Sequence, residues 1–197
     1  TMARAWISNP EYGKLILQGR DEDLTPCIRC NKCNHPTPGQ MWLSTCSVNP
    51  EWGIETRLGR FIAPVVDKKR IAVVGGGPAG MEAALIAAKR GHSVTLYEMS
   101  DSLGGQLKAA CMPSFKWPLK DYVDFMLRQV EKNNIDVKLN TKATAELLHR
   151  ENYDSIIAAV GARPIIPPIP GSDGKNVIAA IDVYGNEDKL DKNVAII

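Results

Sequence analysis

No stretch of this chain stays apolar for long. The richest run, Asp154 to Ile169, is interrupted by Gly161, Arg163 and Pro164, short of the ~20 residues a membrane-spanning helix needs. A membrane partner is therefore not expected. The opening residues, Thr1 to Trp6, also lack a charged region followed by an apolar run and a small-residue cleavage site, so nothing reads as a secretory leader. Charge of one sign is missing too: 24 basic and 22 acidic side chains spread along 197 residues leave a net charge of +2. No basic face points to nucleic acid. The cytoplasm is the expected compartment.

What is present suits a soluble globular fold, with 44% hydrophobic and 23% charged residues. The length allows one full domain plus a smaller satellite. Four of the five cysteines fall between Cys27 and Cys46, a density that fits a metal site in a reducing compartment better than a disulfide framework.

Residues 1–20 read as helical pieces broken at Asn9-Pro10. Residues 21–66 read as a cluster segment and connector: Asp21 to Pro50 is rich in Cys, Pro, Asn and Thr and shows little periodicity, so ligands rather than a hydrophobic core must organise it, and Gly53, Gly59 and Pro64 interrupt any pattern after it. A new domain, residues 67–192, opens at the charged run Asp67-Lys68-Lys69-Arg70. Ile71 to Val74 predicts a strand, Pro78 to Arg90 a helix ended by Gly91, and Ser93 to Glu98 a second strand. Leu119 to Asn133 predicts an amphipathic helix, Ile135 to Leu139 a third strand and Ser155 to Ala159 a fourth. This order is that of an α/β, Rossmann-like parallel sheet preceded by an irregular segment. Asn193 to Ile197 reads as a fresh strand.

Cys27, Cys30 and Cys33 stand at steps of three, and Cys46 returns thirteen residues later. Four thiolates can complete one iron-sulfur cubane. The rival reading is structural zinc, whose ligands more often come as two separated Cys-x2-Cys pairs; a third is that the thiols hold nothing. His35 reads as a loop residue and Cys111 as a small, partly buried hydrophobe.

Gly75-Gly76-Gly77-Pro78-Ala79-Gly80 follows a strand and opens a helix, the context in which a Gly-x-Gly-x-x-Gly string indicates dinucleotide binding. Gly75 permits a tight turn, Gly77 lets the backbone approach a pyrophosphate, and Gly80 lets the helix press on the sheet. Glu98, eighteen residues beyond Gly80, is placed to accept from a ribose diol. These features do not choose between FAD and NAD.

Together, Pro26-Cys27-Ile28-Arg29-Cys30-Asn31, Cys46-Ser47-Val48-Asn49-Pro50, the Val73-to-Gly80 turn and Leu103-Gly104-Gly105-Gln106-Leu107 resemble the multidomain relatives of old yellow enzyme. That family includes 2,4-dienoyl-CoA reductase, 2-enoate reductase and trimethylamine dehydrogenase. The resemblance implies an FMN-carrying TIM barrel, then a 4Fe-4S segment, then an FAD domain interrupted by an NAD(P)H domain. Residues 1–20 would be the tail of the barrel, with Arg4 beside the FMN phosphate. Cys27, Cys30, Cys33 and Cys46 would hold the 4Fe-4S cluster, although the family commonly has one more residue between the second and third cysteines.

By the same resemblance Gly104, Gly105 and Gln106 would lie along FAD, with Ala143 a further contact, and Ala159-Val160-Gly161 would close over it. Val160 stands where the family has a threonine, which removes one hydroxyl. Residues 193–197 would begin the NAD(P)H domain. The implied parent passes electrons from NAD(P)H through FAD and the cluster to FMN and reduces an activated carbon-carbon double bond. Alternatives are an amine dehydrogenase with ADP in the nucleotide site, and a zinc-stapled nucleotide-binding module without redox activity. The expected partners are a flavin nucleotide and the parent's remaining domains, with room for a homo-oligomeric parent. No residue here is expected to act as a catalytic acid or base.

Overall fold

The computed structural model describes residues 2–34, 44–58 and 62–197. His35 lies outside them. Two short helices, α1 (Ala3–Ser8) and α2 (Tyr12–Leu17), come first, and α3 (Glu55–Leu58) follows the cysteine-rich segment. The chain breaks at Asn9-Pro10, as expected, because proline cannot continue a helix. Asn9 Oδ1 accepts the Glu11 amide at 3.0 Å, stabilising the turn, and Asn49 Nδ2 donates to the Ile7 carbonyl at 2.8 Å. That bond ties the far end of the cysteine segment to α1.

The sheet begins with β1 (Arg70–Val74), then α4 (Pro78–Lys89), β2 (Ser93–Tyr97), α5 (Leu107–Ala110), α6 (Trp117–Lys132), β3 (Asp136–Lys138), α7 (Ala145–Glu151), β4 (Ser155–Ala158) and α8 (Ala180–Val183). The strand order is β3-β2-β1-β4 and all pairs are parallel. In β1, Ile71, Ala72 and Val73 are all buried, the near-continuous apolar run expected of a central parallel strand. The register sets Val74 opposite both Tyr97 and Ala158. Gly75, Glu98 and Ala159, each one residue further on, therefore emerge together at the carboxyl edge of the sheet, where ligands of such sheets bind.

Helix α4 opens on Pro78, whose fixed φ suits a first helical position. It ends where Gly91, at φ +99°, donates to the Ala88 carbonyl and His92 to that of Ala87, a glycine-terminated helix end. Gly80, Met81, Ala84 and Ala87 form its buried stripe. Helix α6 packs beside it, and its Tyr122, Phe125, Met126 and Val130 join Met81, Ala84 and Ala87 in the core. Met81, Leu96, Met126 and Val73 are the largest fully buried side chains, each contributing about 1.5–3 kcal/mol relative to exposure.

The expected strands and helices are found within two residues of their predicted ends. Asn193 to Ile197 is the exception: it is exposed and forms no strand. A strand exists only as paired backbone, and no described strand pairs with this segment. None of the described helices is long and apolar enough to cross a membrane.

Candidate functional site

The glycine turn is built by contacts that exclude side chains. Gly75 sits at φ +107°, and a Cβ there would collide with the Ala159 carbonyl oxygen. A Cβ on Gly80 would collide with the Gly75 carbonyl oxygen, so only glycine lets α4 press this close to the turn. Gly77 differs. Its φ of −74° is ordinary, and a Cβ there would meet only the Gly105 Cα, at 3.8 Å. Neither backbone conformation nor protein packing requires glycine at this position. Gly77 also caps α4 without a side-chain acceptor, which leaves the Ala79 end of the helix, with its positive dipole, open to an anion.

The Leu103-to-Leu107 loop lies directly on this turn. The Gly104 amide donates to the Gly76 carbonyl at 2.9 Å. A Cβ on Gly105, at φ +53°, would stand 2.8 Å from the Gly77 Cα. Gln106 Nε2 donates to the Ala162 carbonyl at 2.5 Å, linking this loop to the strand-end segment Ala159-Val160-Gly161. Ala159 is anchored by its own amide on the Val74 carbonyl, at 2.8 Å. Val160 is 74% exposed, and Gly161, at φ +71°, has open space around it. Ala143 is half-buried in the loop after β3.

Glu98 stands at the end of β2, half-buried. Its Oε2 accepts the Gly76 amide at 2.7 Å, and its Oε1 accepts both the amide and the hydroxyl of Ser100 at 2.8 Å. Burial raises its pKa, but the Ser100 and Gly76 amides, the Ser100 hydroxyl and the Lys108 charge outweigh burial and hold the carboxyl below its ordinary value. The carboxylate is thus ionised and keeps acceptor capacity for a further hydroxyl. Ser100 and Lys108 were not anticipated from sequence. A serine two residues past an acid at a strand end was the available signal, and Lys108 Nζ reaches the Ser102 hydroxyl at 3.0 Å.

The cysteine segment folds back on itself. Cys30 Sγ donates to the hydroxyl of Ser47, next to Cys46, at 3.3 Å. The Ser44 hydroxyl donates to the Cys33 carbonyl at 2.7 Å and accepts from Trp52 Nε1 at 3.1 Å. Cys46 and Ile28 pack against the main core. Burial raises the Cys30 thiol pKa, yet the Ser47 hydroxyl and the Lys32, Cys30 and Ser47 amides prevail and lower it. All four thiols are free. They are nevertheless not convergent: no three Cys, His, Asp or Glu side chains gather to hold a metal ion among the described residues. The donor set fits a cluster; the thiol positions do not display one. Arg4 points at this segment, its Nη1 donating to Asn31 Oδ1 at 3.0 Å. Cys111 is half-buried and bonds the Lys108 carbonyl at 3.4 Å, as befits a packing residue.

A family model described as pyridine nucleotide-disulphide oxidoreductase matches residues 69–197, the region that carries the glycine turn, Glu98 and the Gly104-Gly105 loop. The chain belongs to the pyridine nucleotide-disulphide oxidoreductase family. The chain is 36% identical over 197 residues to bilirubin reductase of Mediterraneibacter gnavus, covering all of this chain and 30% of that protein. It is 34% identical over 172 residues to the multifunctional alkene reductase/demethylase OYE of Caballeronia cordobensis, across 87% of this chain and 25% of that protein. The solved 2-naphthoyl-CoA reductase superposes with a TM-score of 0.84 at 35% identity, over 93% of this chain and 28% of that one. The chain thus spans less than a third of the length of these relatives. The resemblance to multidomain flavin oxidoreductases is borne out.

Proposed function

We propose that this chain is the electron-transfer portion of an iron-sulfur flavoenzyme, carrying electrons from NAD(P)H through FAD and a 4Fe-4S cluster to FMN. The parent would reduce an activated carbon-carbon double bond. The observation that carries the nucleotide half of this reading is Gly77. Its missing side chain serves no protein contact, and a close-lying pyrophosphate at the helix end supplies the reason.

Gly75, Gly77, Pro78, Ala79 and Gly80 would cradle the pyrophosphate, with Glu98 accepting from the ribose. Gly104, Gly105 and Gln106 would border the flavin, and Ala143, Ala159, Val160 and Gly161 would complete its surroundings. Cys27, Cys30, Cys33 and Cys46 would supply the cluster thiolates, supported by the donor set and by the Cys30–Ser47 contact beside Cys46. Arg4 has donors left for an FMN phosphate after serving Asn31. When bound, the flavin supplies hydride chemistry and the cluster single-electron transfer. The chain's own work is to hold these groups, orient the glycine-turn amides and keep Glu98 ionised.

A relative named both alkene reductase and demethylase supports a second reading, an amine-oxidising parent with ADP in the nucleotide site. Cytoplasmic residence and association with the parent's barrel and NAD(P)H domains belong to either reading. The deciding experiment is anaerobic purification followed by extraction of cofactors. About four irons and four acid-labile sulfides per chain, with FAD released on denaturation, are expected. Zinc without sulfide, or no nucleotide, would refute the reading, and released ADP would favour the amine-oxidising alternative.

A further inference from the structure

We propose that Trp117 is a positioning residue for the cluster ligand Cys30, acting through Arg29. The proposal rests on the cluster reading above and concerns what holds one of its thiolates. Cys30 is exposed and lies between two non-glycine residues in the left-handed region, Arg29 at φ +57° and Asn31 at φ +63°. Asparagine visits that region readily; arginine, with its Cβ crowding the carbonyl, does not. Something must hold each of them.

Asn31 is held from the N-terminal side, by the Arg4 guanidinium at 3.0 Å. Arg29 is held from the Rossmann-like domain: its Cζ lies 4.4 Å from the centroid of the Trp117 ring, within the range of a cation–π contact. Trp117 begins α6, the helix whose buried face is fixed in the core, so its position is firm although the residue is 48% exposed. Ile28, on the other side of Arg29, is packed against that core as well. The loop is thus gripped at 28, 29 and 31, and Cys30 is carried between the grips. If Arg29 relaxed to an extended conformation, the chain direction at Cys30 would change, and with it the direction in which its thiolate can reach a cluster shared with Cys27, Cys33 and Cys46.

The test uses the full chain purified anaerobically, in wild-type, Trp117→Leu, Trp117→Phe, Arg29→Gly and Arg29→Gly/Trp117→Leu forms. The readouts are iron and sulfide per chain, the rate at which an iron chelator bleaches the visible band, the EPR spectrum of the dithionite-reduced protein and the thermal midpoint. Trp117→Leu is expected to speed bleaching about fivefold and to alter the EPR line shape, while Trp117→Phe, which keeps an aromatic face, stays near wild type.

Glycine takes the left-handed conformation without strain. In the Arg29→Gly background, therefore, Trp117→Leu should change neither bleaching nor spectrum. Equal effects of Trp117→Leu in both backgrounds would show ordinary packing and overturn the proposal, as would a shifted thermal midpoint with unchanged bleaching and EPR. Wild-type chain devoid of iron and sulfide would instead overturn the cluster reading, and this proposal with it.

Discussion

The Gly76 amide donates to Glu98 Oε2 at 2.7 Å, joining the glycine turn to the acid at the end of β2. Because Ser100 occupies the other carboxylate oxygen, Glu98 braces two loops as well as facing the space beside the turn. The brace fixes the path of the turn before any ligand arrives.

Glu98→Gln keeps the shape but has one carbonyl oxygen for donors that sit on two. Its amide nitrogen must face either Gly76 or Ser100, leaving a donor unpaired at a cost of about 1–3 kcal/mol. We expect denaturant unfolding to show that loss, and FAD affinity to fall about tenfold or more, since tenfold corresponds to roughly 1.4 kcal/mol. Unchanged values of both would show that neither the brace nor the ribose contact operates.

Gly77→Ala and Gly80→Ala should part company. Alanine at Gly80 drives its Cβ into the Gly75 carbonyl and should cost about 3 kcal/mol, as overpacking does. Alanine at Gly77 meets ordinary contact only, so stability should fall by less than about 1 kcal/mol, the difference between glycine and alanine at a helix cap. FAD titration should nevertheless show weakened binding in Gly77→Ala. A Gly77→Ala chain that binds FAD as well as wild type would remove the main support for a pyrophosphate at that place.

Local signals were enough for β1, α4 and the glycine turn, because a β-branched run, a helix-starting proline and spaced glycines each act on their own neighbourhood. Glu98 was legible by position, since the sheet register carries it beside Gly75. The partners that complete the site were not: Gln106 reaches Ala162 and Arg29 reaches Trp117 only once the chain is folded. The strand expected at Asn193 to Ile197 failed for the same reason, since apolar composition does not supply a neighbour. Cysteine spacing announced thiolate chemistry, whereas convergence of the thiols depends on backbone conformation that spacing leaves open.

Replacing single cysteines should separate ligands from bystanders. Cys30→Ser and Cys46→Ser are expected to lose most of the roughly four irons and four sulfides per chain when measured by colorimetric analysis after anaerobic purification. Cys111→Ser, whose thiol bonds the Lys108 carbonyl, should retain them. Full iron in Cys30→Ser would refute its role as a ligand.

Asp23 fastens the start of the cysteine segment to α6, and this fastening should respond to acid. Its carboxylate accepts from Lys132 at 2.8 Å, from Gln129 at 3.0 Å and from Arg20 at 3.0 Å. Lys132 first, then Gln129 and Arg20, outweigh burial and hold its pKa well below the ordinary value of 3.8. A depressed folded pKa means that the stabilisation is fully present above the unfolded value and disappears as pH falls through the folded one. The stability difference between wild type and Asp23→Asn, followed by urea unfolding, should therefore be constant above about pH 5 and shrink steadily below it. Because Lys132 is 39% exposed, solvent screens part of the attraction, and the plateau should be roughly 1–2 kcal/mol. A difference that grew toward low pH would mean that Asp23 is protonated more easily folded than unfolded, the reverse of what its three donors impose.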